Sequence, residues 1–242
     1  MKVQVHKKNG KREGCLICGK PIIYSEKSAV YACHMCKNQY ESNAVCENGH
    51  YICDKCHSQA GQDFLILLRE SAEKDPIKMF QAVTMLEEVH MHGPEHHSIV
   101  PCVLLTAYRN NGGLINLGTA LEAAAKRGAQ VPGGACGFLG ACGAAVGAGI
   151  YASIVTGSTP LKAEVWSLPQ IFTARCLEKI AELGGPRCCK RTSRIAIETA
   201  ARLTREYLDV NMPTDELPCG YSDINAECIH AVCPYYGGSE NV

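Results

Sequence analysis

Cysteine and histidine side chains supply most of the chemistry open to this 242-residue sequence, which contains 16 cysteines and 9 histidines. Near the N-terminus, eight of these residues form four close pairs. The pairs are Cys15 and Cys18, Cys33 and Cys36, Cys46 and His50, and Cys53 and Cys56. Four such ligands complete one tetrahedral zinc site, so the four pairs predict two zinc ions. A closed four-ligand site leaves no position for substrate, so we expect these ions to be structural.

The order in which the pairs combine is open, because sequential and interleaved schemes both give two complete sites. The run CENGHYICDKC resembles the centre of a cross-braced ring-type finger, which favours interleaving, and His57 follows it as a spare candidate ligand. The flanks CLICGK and YACHMCKNQY also resemble rubredoxin-type knuckles, so a single iron ion is an alternative. In either case the metal must stabilise a segment too short to bury its own apolar core.

A second set of cysteines lies where helices are expected to begin. In VPGGACGFLGACGAAVGAGI, a glycine-rich loop would present Cys136 and a helix start would carry Cys142. In GGPRCCKR, Pro186 is placed to open a helix, with Cys188 and Cys189 in its first turn beside cationic residues. The helix dipole and the cations lower the pKa of a thiol, so we expect nucleophilic or metal-binding thiolates. The alternative for Cys188 and Cys189 is burial as small apolar residues.

Two further groups could complete a site. The segment EEVHMHGPEHH places His90, His92, His96 and His97 around a Gly-Pro turn, with Glu88 and Glu95 nearby. Such a turn could gather three histidines around a metal or direct one as a general base, whereas the alternative is a polar turn of hydrogen-bonded histidines. The C-terminal tail adds Cys219, Cys228 and Cys233, and the last of these precedes a proline, as in many iron–sulfur motifs.

We expect these groups to line one cavity, because turns and helix starts gather at one end of a helical bundle. The expected catalytic residues are Cys142, Cys188, Cys189, His92, His96 and His97. The expected cofactor ligands are Cys136, Cys219, Cys228 and Cys233, and the cofactor that suits them is an iron–sulfur cluster.

The elements that position these residues follow from composition and periodicity. The amino-acid composition and the spacing of apolar residues change near residues 58–62. We therefore predict a cysteine-rich zinc-binding module over residues 1–58 and a second domain over residues 60–242. Amphipathic helical segments recur after that boundary, and alternating strand patterns are scarce. The predicted fold is a small zinc-ribbon-like or ring-like module followed by a mainly α-helical domain.

The charge-free run from Ala129 to Leu161 has the length of a membrane span. It contains few large apolar residues and lacks aromatic or basic anchors at both ends, so we expect a helix buried in protein and no membrane segment. It is not a dinucleotide-binding loop either, because no strand precedes it and no acidic residue follows at the required place.

The charge balance and the cysteine content indicate which partners and which cellular compartment to expect. The 24 basic residues balance 24 acidic ones, so nucleic acid is not an expected partner. No apolar leader segment precedes Cys15, which predicts a cytoplasmic protein whose thiols stay reduced. So many oxidisable groups would suit an anaerobic cell.

A family resemblance covers nearly the whole chain. The motifs HGPEHH, CGAAVGAGI and GPRCCKR, preceded by the Cys-x2-Cys module, resemble a cysteine-rich family of unknown function from anaerobic microbes. Members are sometimes labelled methyltransferase-like or occur beside methyltransferase or radical-SAM domains. The stretch CGAAVG also resembles the core of the C-GCAxxG-C-C redox family, with Cys176 or Cys188 as trailing cysteines.

Three functions are compatible with these features. The first is a metal- or thiol-dependent enzyme of redox or sulfur-transfer type that acts on a small molecule or a thiol. The second is a zinc-binding adaptor for a partner enzyme, and the third is a methyltransferase-associated protein. Thiols at helix starts and clustered histidines favour the enzyme, because an adaptor does not require activated thiols.

Overall fold

The N-terminal module is built on a hairpin in the computed structural model, which describes residues 14–59 and 63–237. Strand β1 (Ile22–Ala32) pairs antiparallel with strand β2 (Gln39–Cys46), with an irregular register between Tyr24 and Ala29. Helix α1 (Asp54–Gln59) closes the module. The basic residues before Gly14 lie outside the described part.

This module has almost no apolar core. Most side chains of β1 are exposed. Its buried cluster consists of Cys33, Cys53 and Cys56, against which two tyrosines and Ile52 pack. Because the buried side chains are largely cysteines, the stability of this module depends on what the thiols bind rather than on apolar surface.

The remainder of the chain is mainly helical, as predicted. The helices are α2 (Asp63–Glu70), α3 (Pro76–Thr84), α4 (Glu95–Asn110), α5 (Leu117–Gly128), α6 (Ala135–Phe138), α7 (Gly143–Thr156), α8 (Ala163–Leu183) and α9 (Cys189–Leu208). The tail beyond α9 contains two 3₁₀ turns, Ser222–Ile224 and His230–Val232, and is otherwise irregular among the residues described.

Helix α4 is the centre of the helical domain. Every residue from 98 to 108 is buried, although Pro101 lies within the helix. Helices α5 and α7 pack along it, and α9 crosses behind. Between α7 and α9 the hydroxyl of Tyr151 hydrogen-bonds to the hydroxyl of Thr204 at 2.9 Å, which satisfies both polar groups inside the core.

Two helix starts differ from the sequence prediction. The sequence predicts Ser98 as the N-cap of α4, but the helix begins at Glu95, and the Ser98 hydroxyl donates to the carbonyl oxygen of Ala125. Helix α9 begins at Cys189 rather than at Pro186, because the Cys188 Sγ accepts the backbone N–H of Arg191 and thereby caps the helix. Side-chain capping therefore decided where α9 begins.

The glycine-rich stretch forms a loop, the short helix α6 and then α7, which is buried between α4 and α8. A side chain at Gly149 would meet the Thr173 hydroxyl at 2.1 Å and the Pro169 carbonyl oxygen at 2.9 Å. The small residues thus allow two helix backbones to approach closely. None of the described helices has the length and apolar character needed to cross a bilayer.

This packing predicts opposite effects for two glycine-to-alanine substitutions. We expect Gly149→Ala to lower the free energy of unfolding by about 1–3 kcal/mol, because the new methyl group overlaps α8. Gly118→Ala is the control: its methyl group has room in α5, where the nearest atom lies at 3.6 Å. This variant should gain about 0.4–1 kcal/mol. Denaturant unfolding followed by far-UV circular dichroism measures both, and equal effects would contradict the packing argument.

Candidate functional site

Two groups of four ligand-type residues are assembled in the N-terminal module. The first group contains Cys15, Cys18, Cys46 and His50, and the second contains Cys33, Cys36, Cys53 and Cys56. In each group one ligand atom per residue lies within 4.8 Å of all the others. The pairs therefore alternate between the groups, and the interleaved scheme favoured by the sequence is confirmed. Both groups could hold a metal ion.

The hairpin explains this alternation. Ile22, at the start of β1, lies opposite Cys46 at the end of β2, which brings the first and third pairs together. At the far end the loop between the strands carries the second pair, which meets α1 and the fourth pair. Backbone N–H groups of Ile17 and Asn48 point at cysteine sulfurs of the first group at 3.4 and 3.3 Å.

Other backbone N–H groups lower the pKa of some of these thiols, whereas burial raises the pKa of Cys46 and a hydrogen bond with Cys53 raises that of Cys56 to about 12. The backbone N–H of Lys20 is the main cause that lowers the pKa of Cys18 to about 6. Burial raises the pKa of Cys33, but the backbone N–H groups of Cys53 and Cys36 outweigh it and bring that pKa to about 6. Thiolate is the form that binds metal, so part of the required charge is stabilised by the fold alone.

A cavity between α9 and the tail is lined by four cysteines, and we call it the tail cavity. The cysteines are Cys188, Cys219, Cys228 and Cys233. The N–H groups of Arg191 and Asn225 point at the Cys188 sulfur at 3.5 and 3.4 Å. The backbone N–H of His230 points at the Cys228 sulfur at 3.4 Å.

The wall of the tail cavity is cationic. Lys190, Arg191 and Arg194 line it and are each less than a tenth exposed, while no carboxylate is among the described lining residues. The Nε atoms of Arg191 and Arg194 are buried without a hydrogen-bond partner in the described structure. Arg194 also lies 3.8 Å from the Glu198 carboxylate, and Arg191 donates to the Gly184 and Pro186 carbonyl oxygens. With three buried cations in its wall, the cavity still suits an anionic occupant.

Hydrogen bonds fix the irregular tail around this cavity. The Cys219 backbone N–H donates to the Tyr235 carbonyl oxygen at 2.7 Å, and the Tyr221 hydroxyl donates to the Thr84 carbonyl oxygen at 2.8 Å. The Arg194 guanidinium stacks 4.0 Å above the Tyr235 ring. These contacts hold three cysteines in place without regular secondary structure.

A second cavity, the module cleft, separates the N-terminal module from the helical domain. Cys136, Cys189, His57, His92 and His97 line it. Two contacts close its ends: the Asp54 carboxylate accepts the Gly133 N–H at 2.8 Å, and the Arg187 guanidinium hydrogen-bonds to the Tyr24 hydroxyl and covers its ring. The cleft is therefore a product of both modules.

The single cavity expected from the sequence is thus two cavities. Cys188 faces the tail cavity and Cys189 faces the module cleft, because the two residues lie on either side of the α9 start. Cys136 belongs to the cleft and not to the tail cysteines. Cys142 caps α7 and lines neither cavity, although its thiol is close enough to those of Cys136 and Cys189 to affect them.

The expected lowering of the thiol pKa at these helix starts is not found. Burial raises the pKa of Cys136 and Cys188, and it raises that of Cys189 to about 12. The nearby Arg187 and the N–H groups oppose burial but do not outweigh it. In these positions a thiol loses its proton most readily to a metal ion, which replaces the proton with a positive charge.

The histidines of the Gly-Pro turn have different surroundings. His96 is 1% exposed, donates from Nδ1 to the Gly93 carbonyl oxygen, and accepts the Lys190 ammonium at Nε2, so it lines neither cavity. His97 donates from Nδ1 to the Val131 carbonyl oxygen and faces the cleft. His92 also faces the cleft, with burial holding its pKa below the ordinary value.

A hydrogen-bonded connection joins the two cavities. The His92 Nε2 donates to the Glu227 carboxylate at 2.7 Å and lies 3.2 Å from the Asn225 side-chain oxygen. The Asn225 amide in turn donates to the Cys188 sulfur. Neither Asn225 nor Glu227 was singled out from the sequence; their place between two cysteines of the tail was the available signal.

One group of buried ligand-type residues was also not foreseen as a set. His57, His90 and Glu95 converge where the two modules meet, with one ligand atom of each within 4.8 Å of the others. Burial would raise the pKa of Glu95, but the nearby rings of His57 and His90 hold it well below its ordinary range. The sequence identified each residue but not their association across 38 positions of the chain.

Thiol accessibility predicts selective alkylation. We expect iodoacetamide to modify the exposed Cys136 in the folded, metal-loaded chain while the buried Cys176 remains unmodified. Although Cys136 is exposed, the protein around its sulfur removes part of the solvent and raises the pKa of the thiol. The rate of alkylation should therefore keep increasing with pH beyond the point at which that of a free small thiol levels off. Peptide mass spectrometry after a pH series measures both sites. Equal labelling of Cys136 and Cys176 would contradict the described burial.

Comparison with known proteins gives one match. A model described as a family of unknown function (DUF5714) matches residues 65–236. No curated protein and no solved structure matches the chain. The match includes all four cysteines of the tail cavity and covers well over half of the sequence, and the chain therefore belongs to the family of unknown function DUF5714.

Proposed function

We propose that this protein is a metal-dependent enzyme of redox or sulfur-transfer type. In this proposal two zinc ions brace the N-terminal module, the four cysteines of the tail cavity hold an iron–sulfur cluster, and the substrate binds in the module cleft. The observation that carries the proposal is the convergence of Cys188, Cys219, Cys228 and Cys233 on one cavity.

The number of these cysteines fits a cluster, and the Cys188, Cys219 and Cys233 thiols are close enough to affect one another's pKa. Four thiolates are the usual ligand set of iron–sulfur clusters. The four residues do not form a described group with all ligand atoms within 4.8 Å of one another, in contrast to both groups of the N-terminal module. A cluster separates its cysteine ligands more widely than one tetrahedral ion does.

The charge and the hydrogen bonds of the cavity fit the same group. A cluster held by four thiolates is anionic, which would balance the buried Lys190, Arg191 and Arg194. N–H groups directed at ligand sulfurs are among the features that set a cluster's potential, and Cys188 receives two of them. When bound, the cluster would supply one-electron transfer.

The chain's own residues could couple that chemistry to the cleft. Asn225 contacts both the Cys188 sulfur and His92. A change of charge at the sulfur would therefore affect His92, in the cleft, through the Asn225 side chain. The His92–Glu227 pair could carry a proton to a substrate there. Reduction of a disulfide substrate, for instance, would consume two electrons from an external one-electron donor and two protons, and would release two thiols.

The proposed zinc ions rest on tetrahedral geometry. A zinc ion about 2.3 Å from each sulfur sets its ligand sulfurs about 3.8 Å apart. The Cys18–Cys46 and Cys36–Cys53 sulfurs are separated by 3.5 and 3.9 Å. Three cysteines with one histidine, and four cysteines, are both ordinary ligand sets of structural zinc.

Anaerobic reconstitution of the full chain tests the cluster. We expect iron and acid-labile sulfide in equal amounts, the broad visible absorption of a cluster, and a paramagnetic signal after chemical reduction. The double variant Cys219→Ala/Cys233→Ala should lose all three because it removes two of the four ligands. The control Cys136→Ser should keep them, since this cysteine lies in the other cavity.

Retained circular dichroism and zinc content would show that the double variant is folded. Loss of iron in both variants, or in neither, contradicts the assignment of ligands to the tail cavity. If the wild-type chain takes up no iron at all, the enzyme proposal fails, and the adaptor function becomes the better one.

Zinc content tests the N-terminal module separately. We expect Cys18→Ser to lower bound zinc by one ion per chain and to make the hairpin sensitive to protease, because the metal replaces a missing apolar core. Met35→Ser is the matched control, since Met35 is exposed and lies between two ligands without being one. Elemental analysis and limited proteolysis measure the result. A protease-resistant Cys18→Ser variant would count against structural zinc.

A further inference from the structure

The buried group formed by His57, His90 and Glu95 has the composition of a metal site distinct from those described above. His57 comes from α1 of the N-terminal module, His90 from the turn before α4, and Glu95 from the first position of α4. We propose that these three side chains bind a divalent first-row transition-metal ion, of the kind represented by Zn²⁺ or Fe²⁺, at the junction of the two modules.

Distances support a shared ion. The His57 Nδ1 lies 3.2 Å from the Glu95 Oε2, and the His90 Nδ1 lies 3.5 Å from the Glu95 Oε1. Ligand atoms about 2.0–2.2 Å from one tetrahedral or octahedral ion are separated by roughly 3.0–3.5 Å. Each imidazole therefore lies at ligand spacing from one Glu95 oxygen, and one ligand atom of each of the three residues lies within 4.8 Å of the others.

The atoms that would bind the ion contact one another but lack well-aligned hydrogen bonds. The His57 Nδ1, the His90 Nδ1 and the Glu95 Oε2 are buried and make no hydrogen bond within the described residues. The 3.2 Å approach of His57 to Glu95 is not aligned as a hydrogen bond. Buried polar atoms are rarely left unpaired, and three that converge indicate a missing common partner.

The other carboxylate oxygen of Glu95 makes a hydrogen bond that fixes the orientation of Oε2. Its side chain is 1% exposed, and its Oε1 accepts the backbone N–H of His90 at 3.0 Å. A carboxylate this buried is costly unless positive charge compensates it. A divalent ion between Oε2 and the two imidazoles would supply that charge.

Gly93 leaves the space in which the ligands meet. A methyl group on Gly93 would lie 2.1 Å from the Glu95 Oε2 and 2.6 Å from the His57 Cε1. The absence of a side chain there allows His57 to reach Glu95 across the module junction. The glycine of the HGPEHH motif thus provides the space that the ligand side chains occupy.

Two imidazoles and one carboxylate are the ligand set of mononuclear catalytic zinc and of non-haem iron(II) sites, which keep further positions open. His57 and Gly93 belong to the wall of the module cleft, so the open side of an ion here would face the cleft. This site uses neither the tail cysteines nor the two cysteine-rich groups. Its test is therefore independent of the iron–sulfur proposal.

Metal titration of the full chain tests the site. After dialysis against a chelator that spares the thiolate sites, the wild type should rebind one equivalent of Zn²⁺, or of Fe²⁺ without oxygen, by calorimetry. We expect His90→Ala and Glu95→Gln each to weaken that binding by more than about 100-fold, since each removes a direct ligand. The control Glu87→Gln alters the same turn outside the ligand group and should keep the equivalent.

Cobalt substitution adds a readout that a merely structural role would not change. Co²⁺ at this site should give ligand-field absorption without the thiolate-to-cobalt charge transfer of the cysteine sites. This absorption should disappear in Gly93→Ala, because the new methyl group occupies the space in which the ligands meet. Retained far-UV circular dichroism of each variant shows that it is folded. Absence of a rebinding equivalent in the wild type, or its persistence in folded Glu95→Gln, would overturn the proposal.

Discussion

The burial of the Glu95 carboxylate is the constraint around which the junction of the two modules is organised. A group that is 1% exposed must be compensated, and the structure surrounds it with groups from three parts of the chain. His57 reaches it from the N-terminal module, and the backbone of His90 donates to it. The adjacent His96 orients Lys190 on α9. Glu95 thus helps to position the module on the helical domain, together with the Asp54–Gly133 and Arg187–Tyr24 contacts.

Helix α4 makes this constraint effective, because its buried length allows no movement of its first turn. Residues 98 to 108 are enclosed by α5, α7 and α9, so the side chains just before them are held at one end of the domain. That end carries Glu95, His96 and His97. A rigid element with a polar N-terminal turn is a suitable support for chemistry, since its geometry does not depend on loop conformation.

The cysteines differ in their surroundings as well as in their position. Those of the hairpin replace an apolar core, those of the tail surround a cationic cavity, and Cys136 and Cys189 face a cleft where burial keeps them protonated. Burial outweighs the helix dipole at Cys188 and Cys189, so their position at a helix start does not by itself produce a thiolate. The raised pKa values of these buried thiols therefore argue against nucleophilic activation by position alone.

Local spacing in the sequence determined the features whose partners are close in the chain. The four ligand pairs of the N-terminal module, the mainly helical domain and the burial of the glycine-rich helix follow from short-range patterns, because knuckle spacing, helical periodicity and side-chain size act over a few residues. The order in which the pairs combine stayed open in the sequence, where a resemblance favoured interleaving, and the pairing of the two strands decided it. The start of α9 was misplaced because the Cys188 thiol, and not Pro186, caps it.

Only the tertiary structure decided which distant groups meet. Cys188 and Cys189 are consecutive, yet they face different cavities, because packing of α9 against the tail turns one sulfur away from the other. His57 and Glu95 lie 38 positions apart in the sequence and converge through the contact between two modules. No local pattern encodes such a meeting, since it depends on the relative placement of elements that are each stable for other reasons.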